Sequence, residues 1–182
     1  MYEATKGYKQ TKAARRPVWN EVRFQGQPLI GDLVHTAWFK REWKHCEAWL
    51  YNLPQEDFGL IYTDAHEGNF KVHNGEIKFF DFDDSCVCWH VYDLAVIFLR
   101  FDRDKDKGWV HLRKRAMLEG YRSVRPLSEI HEKRIDSFIR ARWLWAIAWF
   151  NMRLHVPRLR KMYGEVYRIV EERTKNGSEP LV

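Results

Sequence analysis

The sequence predicts a single domain, residues 1–182, that is mainly α-helical and carries one small β-hairpin, an α+β fold. After residue 90 the pattern is almost wholly helical. Before it, two short β-like runs, Phe70–His73 and Ile77–Phe80, flank an Asn74-Gly75 pair, which is a strong turn signal. A hydrophobic fraction of 45% and nine Trp predict one core that is rich in aromatic side chains.

Residues 1–30 are predicted to form an irregular, basic lead-in. Pro17 and Pro28 argue against one continuous helix in this segment. Its excess of positive charge is interpreted as a solvated surface segment, and an arm that contacts phosphate groups is the alternative. The charged residues behind this interpretation are Lys6, Lys9, Lys12, Arg15, Arg16 and Arg23, against Glu3 and Glu21.

The first regular elements are predicted to precede the hairpin. Asp32 is a suitable N-cap for a helix over residues 33–50, which has an imperfect apolar stripe and ends before Pro54. The apolar run Gly59–Tyr62 then predicts a short buried strand, which ends just before the first functional motif.

Helices are predicted to follow the hairpin nearly to the C-terminus. Ser128 is expected to cap the longest of them, and Pro157 is expected to separate it from the last one. The predicted helices cover residues 92–101, 109–121, 128–154 and 158–173, with a charged loop over 102–107 and a frayed end over 175–182.

An acidic cluster follows the hairpin in a chain whose net charge is +6. Asp81, Asp83 and Asp84 come after the second β-like run, and Asp64 and Asn69 lie in the loop before the first. Grouped carboxylates repel each other, so they cost stability unless a cation or a function offsets the repulsion.

The order of these residues matches the needs of phosphoryl transfer. In that reaction an Asp accepts the proton of the attacking hydroxyl, a nearby Asn reaches Mg²⁺, and a second Asp bridges the metal to the phosphates. Asp64, Asn69 and Asp81 occupy these positions in the sequence. Mg²⁺ suits such a set because it prefers hard oxygen ligands and completes its octahedron with water and phosphate.

Three segments resemble the motifs of one kinase family. YTDAHEGNF, IKFFDFDD and VYDLA are similar to the HGDxHxxN, IDFDD and YDLA motifs of the aminoglycoside phosphotransferase and choline kinase-like family. That family includes homoserine kinase-like and spore-coat kinase-like members. Arg15–Glu21 and Thr5-Lys6 resemble the segment that follows the family's interlobe hinge.

The resemblance implies roles for individual residues. Asp64 matches the family's catalytic base, and Asn69 and Asp81 match its metal ligands. Asp93 matches an acid that braces the catalytic loop. For His66, a contact with phosphate or substrate and a loop-bracing hydrogen bond are both open.

The neighbours of the matched acids leave further alternatives. Asp83 is a candidate for contact with metal or substrate, with a solvated acid as the alternative, and the same holds for Asp84. The family's usual His-Gly before the base is Tyr62-Thr63 in this chain. Because that His is mainly a brace, the departure concerns the geometry of the loop.

The fold that the resemblance implies is the helical C-lobe of the protein kinase-like fold. Residues 58–84 would form the catalytic loop and metal hairpin, and residues 91–173 the helical substrate-binding part. The family's N-lobe supplies a phosphate-covering loop and a Lys for ATP. The roughly 57 residues before the first motif strand show neither feature, so the N-lobe is expected to be absent.

The implied function is ATP- and Mg²⁺-dependent phosphorylation of a small-molecule hydroxyl, such as that of an aminoglycoside, choline or homoserine. The chain alone is expected to be inactive, because the features that hold ATP are not found in it. The alternative is a noncatalytic remnant that binds an N-lobe partner, or self-associates, through the face that an N-lobe would cover.

Composition restricts location and partners. The longest apolar run, Trp143–Phe150, is too short for a membrane span, and the polar N-terminus shows no signal peptide. Three Cys without framework spacing favour reduced thiols in a cytoplasmic protein. Nucleic-acid binding is not favoured, since it would rest on net charge alone.

Two clusters have both a structural and a functional interpretation. Cys86, Cys88 and His90 have the spacing of part of a metal site, but no fourth ligand lies nearby, so the structural interpretation is favoured. Three tryptophans of the long helix either stack on a flat substrate or belong to a helix buried all round, which is favoured. They are Trp143, Trp145 and Trp149.

The metal hypothesis constrains the register of the hairpin. With a two-residue turn, Asn69 lies opposite Phe80, so the side chains of Asn69 and Asp81 point to opposite faces unless the ladder breaks. A three-residue loop sets Asn69 opposite Asp81 instead. We therefore predict the three-residue register, or a bulge before Asp81, with Asn69, Asp81 and Asp64 converging on one point.

Overall fold

A computed structural model gives the fold, and it describes residues 9, 11, 15–18, 23–24, 27–28, 32–54, 57–101 and 106–175. The strands are β1 (Arg23–Phe24), β2 (Gln27–Pro28), β3 (Phe58–Ile61), β4 (Phe70–His73), β5 (Glu76–Phe79) and β6 (Cys86–Trp89). The helices are α1 (Asp32–His35), α2 (Ala37–Leu50), α3 (Val91–Phe101), α4 (Lys107–Val124), α5 (Glu129–Lys133), α6 (Ile135–Asn151) and α7 (Pro157–Lys175). The predicted fold class, mainly α with a small β-hairpin, is confirmed.

The core forms around α3 and α6, which pack against each other and bury most of their side chains. Phe138 of α6 is fully buried, and its ring meets those of Trp49, Trp89 and Tyr92 at centroid distances of 5.2, 6.0 and 5.9 Å. Such aromatic contacts add to the free energy gained by burying the rings. The core is therefore aromatic, as the sequence predicted.

Strands β3 and β6 form a two-stranded antiparallel sheet, in which Ile61 lies opposite Cys86. Strand β6 was not predicted, because a run of only four residues between a loop and a helix gives a weak signal. It places Cys86 and Cys88 in the interior, together with His90, which follows the strand. His90 Nδ1 lies 2.6 Å from the carbonyl oxygen of Asp57, so its ring is fixed by the backbone.

Strands β4 and β5 form the predicted hairpin, but the predicted three-residue register is wrong. His73 pairs with Glu76, which is the register of a two-residue turn. Asn74 and Gly75 have positive φ angles of 49° and 78°. A two-residue hairpin turn requires this backbone, and Asn-Gly adopts it readily. The chemistry of the turn therefore decides the register.

Two of the predicted helices are each divided in two. The helix expected over residues 33–50 breaks at Thr36, whose hydroxyl accepts a hydrogen bond from the Phe39 amide at 3.2 Å and caps α2. The long helix expected from Ser128 breaks at Arg134, although Ser128 caps α5 as predicted. The other helices lie within about three residues of their predicted bounds, as helix ends usually do.

Part of the N-terminal segment runs along the acidic end of the hairpin. Arg16 Nη1 donates to the carbonyl oxygen of Asp83 at 2.9 Å, and Val18 forms a bridge with Val87. Most of the basic lead-in, most of the loop over 102–107 and nearly all of the frayed end over 175–182 fall outside the described residues. Within the described part of the chain, no helix is long and apolar enough to span a membrane.

Gly59 in β3 lets the imidazole of His90 approach the backbone. A Cβ atom at position 59 would lie 2.8 Å from His90 Nε2. We expect Gly59→Ala to lower the free energy of unfolding by about 1–3 kcal/mol, the usual cost of overpacking. Gly120→Ala in α4 is the matched control, because it has open space there and should stabilise the helix by about 1 kcal/mol. Urea unfolding measures both, and a Gly59→Ala protein as stable as the parent would contradict the crowding.

Candidate active site

The loop between β3 and β4 presents Asp64 to a cavity. Two side chains donate hydrogen bonds to its carboxylate, Arg142 Nη2 to Oδ1 at 3.1 Å and Asn69 Nδ2 to Oδ2 at 2.9 Å. His66 Nε2 lies 3.2 Å from Oδ2. Arg142 comes from α6 and the other two residues from the loop itself, so the carboxylate is held from two sides.

His66 contacts the loop on both sides of its ring. The Gly68 amide donates to Nδ1 at 3.0 Å, and Nε2 faces the Asp64 carboxylate at 3.2 Å from Oδ2. A Cβ atom at position 68 would lie 2.7 Å from the ring, so a glycine is needed for this approach. His66 also lines the cavity. A contact with phosphate or substrate therefore stays possible beside its hydrogen bond within the loop.

Asn69 is buried at the start of the hairpin, with 8% of its surface exposed. Its Nδ2 donates to the Asp64 carboxylate and also lies 3.2 Å from the Asp64 carbonyl oxygen. Because the amide nitrogen faces Asp64, the amide oxygen is the atom that could bind a metal ion.

Asp93, in the first turn of α3, holds the backbone that precedes Asp64. Its two carboxylate oxygens accept hydrogen bonds from the amides of Tyr62 at 3.1 Å and Thr63 at 2.7 Å. Thr63 has a φ of 66°, which is rare for a β-branched residue and costs free energy. The two bonds fix this strained segment, which is the geometry that a brace of the catalytic loop requires.

Tyr62 and Thr63 connect the catalytic loop to the segment that carries the acids. The Tyr62 hydroxyl donates to the carbonyl oxygen of Phe80, and the Thr63 hydroxyl donates to that of Asp84. Burial, together with the charges of nearby carboxylates, raises the pKa of Tyr62 to about 12, so its hydroxyl stays a donor at neutral pH. Tyr62-Thr63, which stands where the family usually has His-Gly, thus contributes two hydroxyl hydrogen bonds to the segment that carries the acids.

Asp81 follows the point at which the hairpin ladder ends. The last bond of the ladder runs from the Phe80 amide to the Asn69 carbonyl oxygen at 3.1 Å. Asp81 itself has a φ of 62°, so the backbone turns directly after the strand. The charges of Asp64 and Asp81 both contribute to the raised pKa of Tyr62. A metal ion shared by Asn69 and Asp81 stays a prediction.

Asp83 and Asp84 have different surroundings. The side chain of Asp83 is exposed, whereas Asp84 is half-buried and lines the cavity together with Asp64. Burial, and after it the charge of Asp64, raises the pKa of Asp84 to about 6. Of these two candidates, Asp84 is therefore the one placed beside the catalytic loop.

Arg142 contacts the predicted base but was not identified from the sequence. It is only 7% exposed, and its guanidinium lies 4.0 Å from the centre of the Trp145 ring. Its Nη1 is buried without a hydrogen-bond partner among the described residues. The available signal was a lone charge at the edge of the apolar run that begins at Trp143, since a buried charge needs a partner.

A cavity of about 690 Å³ opens beside Asp64 and is lined by α3, α6 and α7. Trp143 and Trp145 line it while being 3% and 5% exposed, and Trp149 lines it as a half-buried residue. The two interpretations of these tryptophans therefore do not exclude each other. A cavity of this size suits a molecule as large as a drug.

Comparison with protein families connects the site to known enzymes. A model of the phosphotransferase enzyme family matches residues 6–127, which include Asp64, Asn69 and Asp81. The chain belongs to the phosphotransferase enzyme family. The matched segment ends before α6, so Arg142 and much of the cavity wall lie outside it.

Curated relatives of this chain include two kinds of kinase. Amicoumacin kinase of Bacillus subtilis (strain 168) is 32% identical over 102 residues, which are 53% of this chain and 30% of that protein. Homoserine kinase of Brucella anthropi is 33% identical over 120 residues, which are 65% of this chain and 35% of that protein. The chain thus spans about a third of the length of these relatives.

Solved kinase structures have the same fold as this chain. Amicoumacin kinase hAmiN, in complex with AMP-PNP, Ca²⁺ and Ami, matches with a TM-score of 0.77 at 22% identity, over 95% of this chain and 55% of that chain. The microcompartment-associated aminopropanol kinase matches with a TM-score of 0.66 at 21% identity, over 91% and 55%. The predicted fold, the helical C-lobe of the protein kinase-like fold, is confirmed.

We expect Asp84→Asn to stabilise the fold at neutral pH. The pKa of Asp84 is about 6 in the folded protein against an ordinary 3.8, so the folded state holds this proton more tightly. Its ionisation therefore destabilises the fold as the pH rises from 3.8 to about 6. The group is half exposed to solvent, and after allowance for screening we expect a gain of about 1 kcal/mol above this range.

Urea unfolding at pH 4.5 and pH 7.5 measures this effect. The gain from Asp84→Asn should be larger at pH 7.5 than at pH 4.5. Asp83→Asn is the matched control, because the Asp83 side chain is exposed and lies one residue away. A gain that is equal at both pH values, or equal in the two variants, would contradict the assignment.

Proposed function

We propose that the chain is the catalytic and substrate-binding lobe of a kinase that transfers phosphate from ATP to a hydroxyl of a small molecule. The observation that carries the proposal is the position of Asp64, which is hydrogen-bonded to Asn69 at the edge of a large cavity. Membership of the phosphotransferase enzyme family supports the class of reaction. An acceptor in the cavity would meet a carboxylate that is already held in place.

In this reaction Asp64 acts as the general base. The oxygen of the acceptor hydroxyl attacks the γ-phosphorus, the bond to the ADP oxygen breaks, and the hydroxyl proton passes to the Asp64 carboxylate. Arg142 and His66 act through Asp64 as positioning residues, because the hydrogen bond from Arg142 and the close contact with His66 restrict the rotation of its carboxylate. Such restriction keeps the base in line with the attacking hydroxyl.

Asn69 and Asp81 fit a magnesium site. Their amide and carboxylate oxygens are hard ligands, and Mg²⁺ in kinases takes few protein ligands and completes its shell with phosphate and water. When bound, Mg²⁺ neutralises the charge of the phosphates.

A cytoplasmic location is part of the proposal. Cys46, Cys86 and Cys88 are free thiols in the interior of the fold. Disulfides are rare in the cytosol, so reduced cysteines suit that compartment. The reaction also needs ATP, which the cytosol supplies.

Phosphate transfer from labelled ATP tests the proposal. The chain alone is expected to transfer little phosphate, because it spans 55% of the solved kinases that it resembles. Joined to the part of hAmiN that it does not cover, it should phosphorylate a hydroxyl compound such as homoserine or aminopropanol, or a larger acceptor, in the presence of Mg²⁺. A joined protein that folds and binds ATP, but phosphorylates none of a broad panel of hydroxyl compounds, would contradict it.

The outer face of the hairpin favours a second role, binding of a protein partner. Val72 and Ile77 form a cross-strand pair and are 64% and 58% exposed. Phe79, Phe80 and Phe82 add exposed aromatic surface beside this pair. Exposed apolar patches of this kind mark interaction sites. We propose that the nucleotide-binding lobe of a kinase covers this face, with a second copy of the chain as the alternative.

Sedimentation velocity tests the exposed face. We expect the chain alone to self-associate as its concentration rises, because association buries the exposed apolar surface of the hairpin away from water. Val72→Glu with Ile77→Lys should restore a monomer, since it places charges on the cross-strand pair. Leu112→Glu, at an exposed apolar residue of α4, is the control and should leave the association unchanged. A monomer at high concentration without any substitution would count against this role.

A further inference from the structure

The cavity beside Asp64 has more positive than negative side chains in its wall. The carboxylates that line it, Asp64 and Asp84, both lie at the end next to the catalytic loop. A wall of this sign favours an acceptor with negative charge, because unlike charges attract most strongly where water is partly excluded. The arginines that line it are Arg100, Arg142, Arg153 and Arg158.

Two of these arginines lie over tryptophan rings of α6. The Arg142 guanidinium is 4.0 Å from the centre of the Trp145 ring, and the Arg153 guanidinium is 4.0 Å from that of Trp149. The two tryptophan rings are themselves neighbours, with 6.3 Å between their centres. Arg153 Nη1 also donates a hydrogen bond to the Trp149 carbonyl oxygen at 3.1 Å. Because a guanidinium carries five N–H donors, one that is held in this way can also take part in binding a carboxylate.

The two ends of the cavity differ in charge. Arg142 is engaged by Asp64 at the catalytic end, and Arg100 pairs with Glu67 at 2.9 Å. Arg153 follows the end of α6, and the nine positions from Arg142 to Asn151 correspond to about 14 Å along the helix axis. Arg158, an exposed residue in the first turn of α7, lines the same cavity. Between the catalytic end and these two arginines the wall is mainly apolar and aromatic, with Trp149 among its residues.

We propose that the acceptor is an elongated hydroxy acid with a flat apolar body. Its hydroxyl lies at Asp64, a placement that rests on the proposed function. Its body lies along the rings of Trp145 and Trp149, and its carboxylate binds Arg153 and Arg158. The volume of about 690 Å³ leaves room for a molecule larger than an amino acid. A polycationic acceptor such as an aminoglycoside is disfavoured, because it would face these arginines.

Binding of three matched probes to the 182-residue chain tests this class of acceptor. The probes are 6-(hydroxymethyl)-2-naphthoate, the corresponding 2-carboxamide and the corresponding 2-aminomethyl compound, which differ only in charge at one end. Quenching of tryptophan fluorescence reports binding, with calorimetry as a second measurement. We expect the carboxylate to bind about tenfold or more tightly than the amide, and the amine to bind most weakly. Equal affinities, or tighter binding of the amine, would overturn the proposal.

Substitutions in the wall locate the effect. Arg158→Met should remove part of the preference for the carboxylate, and Arg153→Met with Arg158→Met should remove nearly all of it. Lys161→Met is the matched control, because Lys161 is an exposed cation of α7 that does not line the cavity. A preference that survives the double substitution, or that Lys161→Met reduces equally, would overturn the proposal. Arg158 is exposed, so its single variant should fold even if the double variant does not.

Failure of this inference can be distinguished from failure of the proposed function. Binding of the probes needs neither ATP nor the joined protein. If the naphthoate binds as expected but no hydroxyl compound is phosphorylated, the anion site stands and the kinase reaction fails. If a neutral hydroxyl compound is phosphorylated and the naphthoate does not bind, the reaction stands and the anion site fails.

Discussion

Replacing Asp64 with asparagine is expected to lower the rate of phosphate transfer by about 10²–10⁴-fold, the usual contribution of a positioned general base. The amide has nearly the same shape as the carboxylate but cannot accept the proton of the attacking hydroxyl. Binding of ATP and of the acceptor should change little, so kcat should fall while KM stays nearly constant. The measurement is steady-state transfer from labelled ATP by the joined protein.

Asp83→Asn is the control for this experiment. It removes the same charge from the acidic cluster, but its side chain is exposed and does not line the cavity. Its kcat should stay within about twofold of the parent's, because distant exposed charges are screened by salt. An equal fall in both variants would show that the charge of the cluster matters and that Asp64 is not the base. Asp64→Asn also takes a charged partner from the buried Arg142, so stability must be checked at the assay temperature.

Replacing Asp93 with alanine is expected to lower the free energy of unfolding by about 2–4 kcal/mol, through the loss of two hydrogen bonds to buried amides. Asp93 is 6% exposed, and the amides of Tyr62 and Thr63 have its carboxylate as their acceptor. Without it, the backbone at Thr63 loses the contacts that hold its positive φ. The loop that carries Asp64 should therefore lose its fixed position as well.

Urea unfolding and hydrogen exchange measure the two consequences separately. Asp106→Ala is the control, since Asp106 is an exposed N-cap of α4 whose loss should cost only about 1 kcal/mol. The amides of residues 62 and 63 should exchange faster in Asp93→Ala under conditions in which the core amides of α6 stay protected. A loss of stability no larger than that of Asp106→Ala would contradict the bracing role.

The sequence was sufficient for the part of the site that is local in the chain. Asp64, His66 and Asn69 lie within one short loop, so a motif that fixes their spacing also fixes most of their contacts. Arg142 could not be found in this way, because it meets Asp64 across 78 positions of the chain. Only the packing of α6 against the loop brings these two residues together.

The register of the hairpin was predicted wrongly because the turn preference of Asn74-Gly75 competed with the geometry of a metal site. The three-residue register, or a bulge before Asp81, was inferred because Asn69 and Asp81 would otherwise point to opposite faces. The turn at Asn74-Gly75 prevails, and the change of direction occurs instead in the backbone of Asp81, whose φ is 62°. The break at Thr36 was missed for a similar reason, since a periodic apolar pattern continues across a residue that locally prefers to cap a new helix.

The left-handed backbone of Thr63 bears on which residues position 63 tolerates. A threonine in that conformation costs about 1–2 kcal/mol relative to glycine, whereas its buried hydroxyl bond to the Asp84 carbonyl oxygen returns about 1 kcal/mol. The two amounts nearly cancel, so an exchange between glycine and threonine is close to neutral for stability.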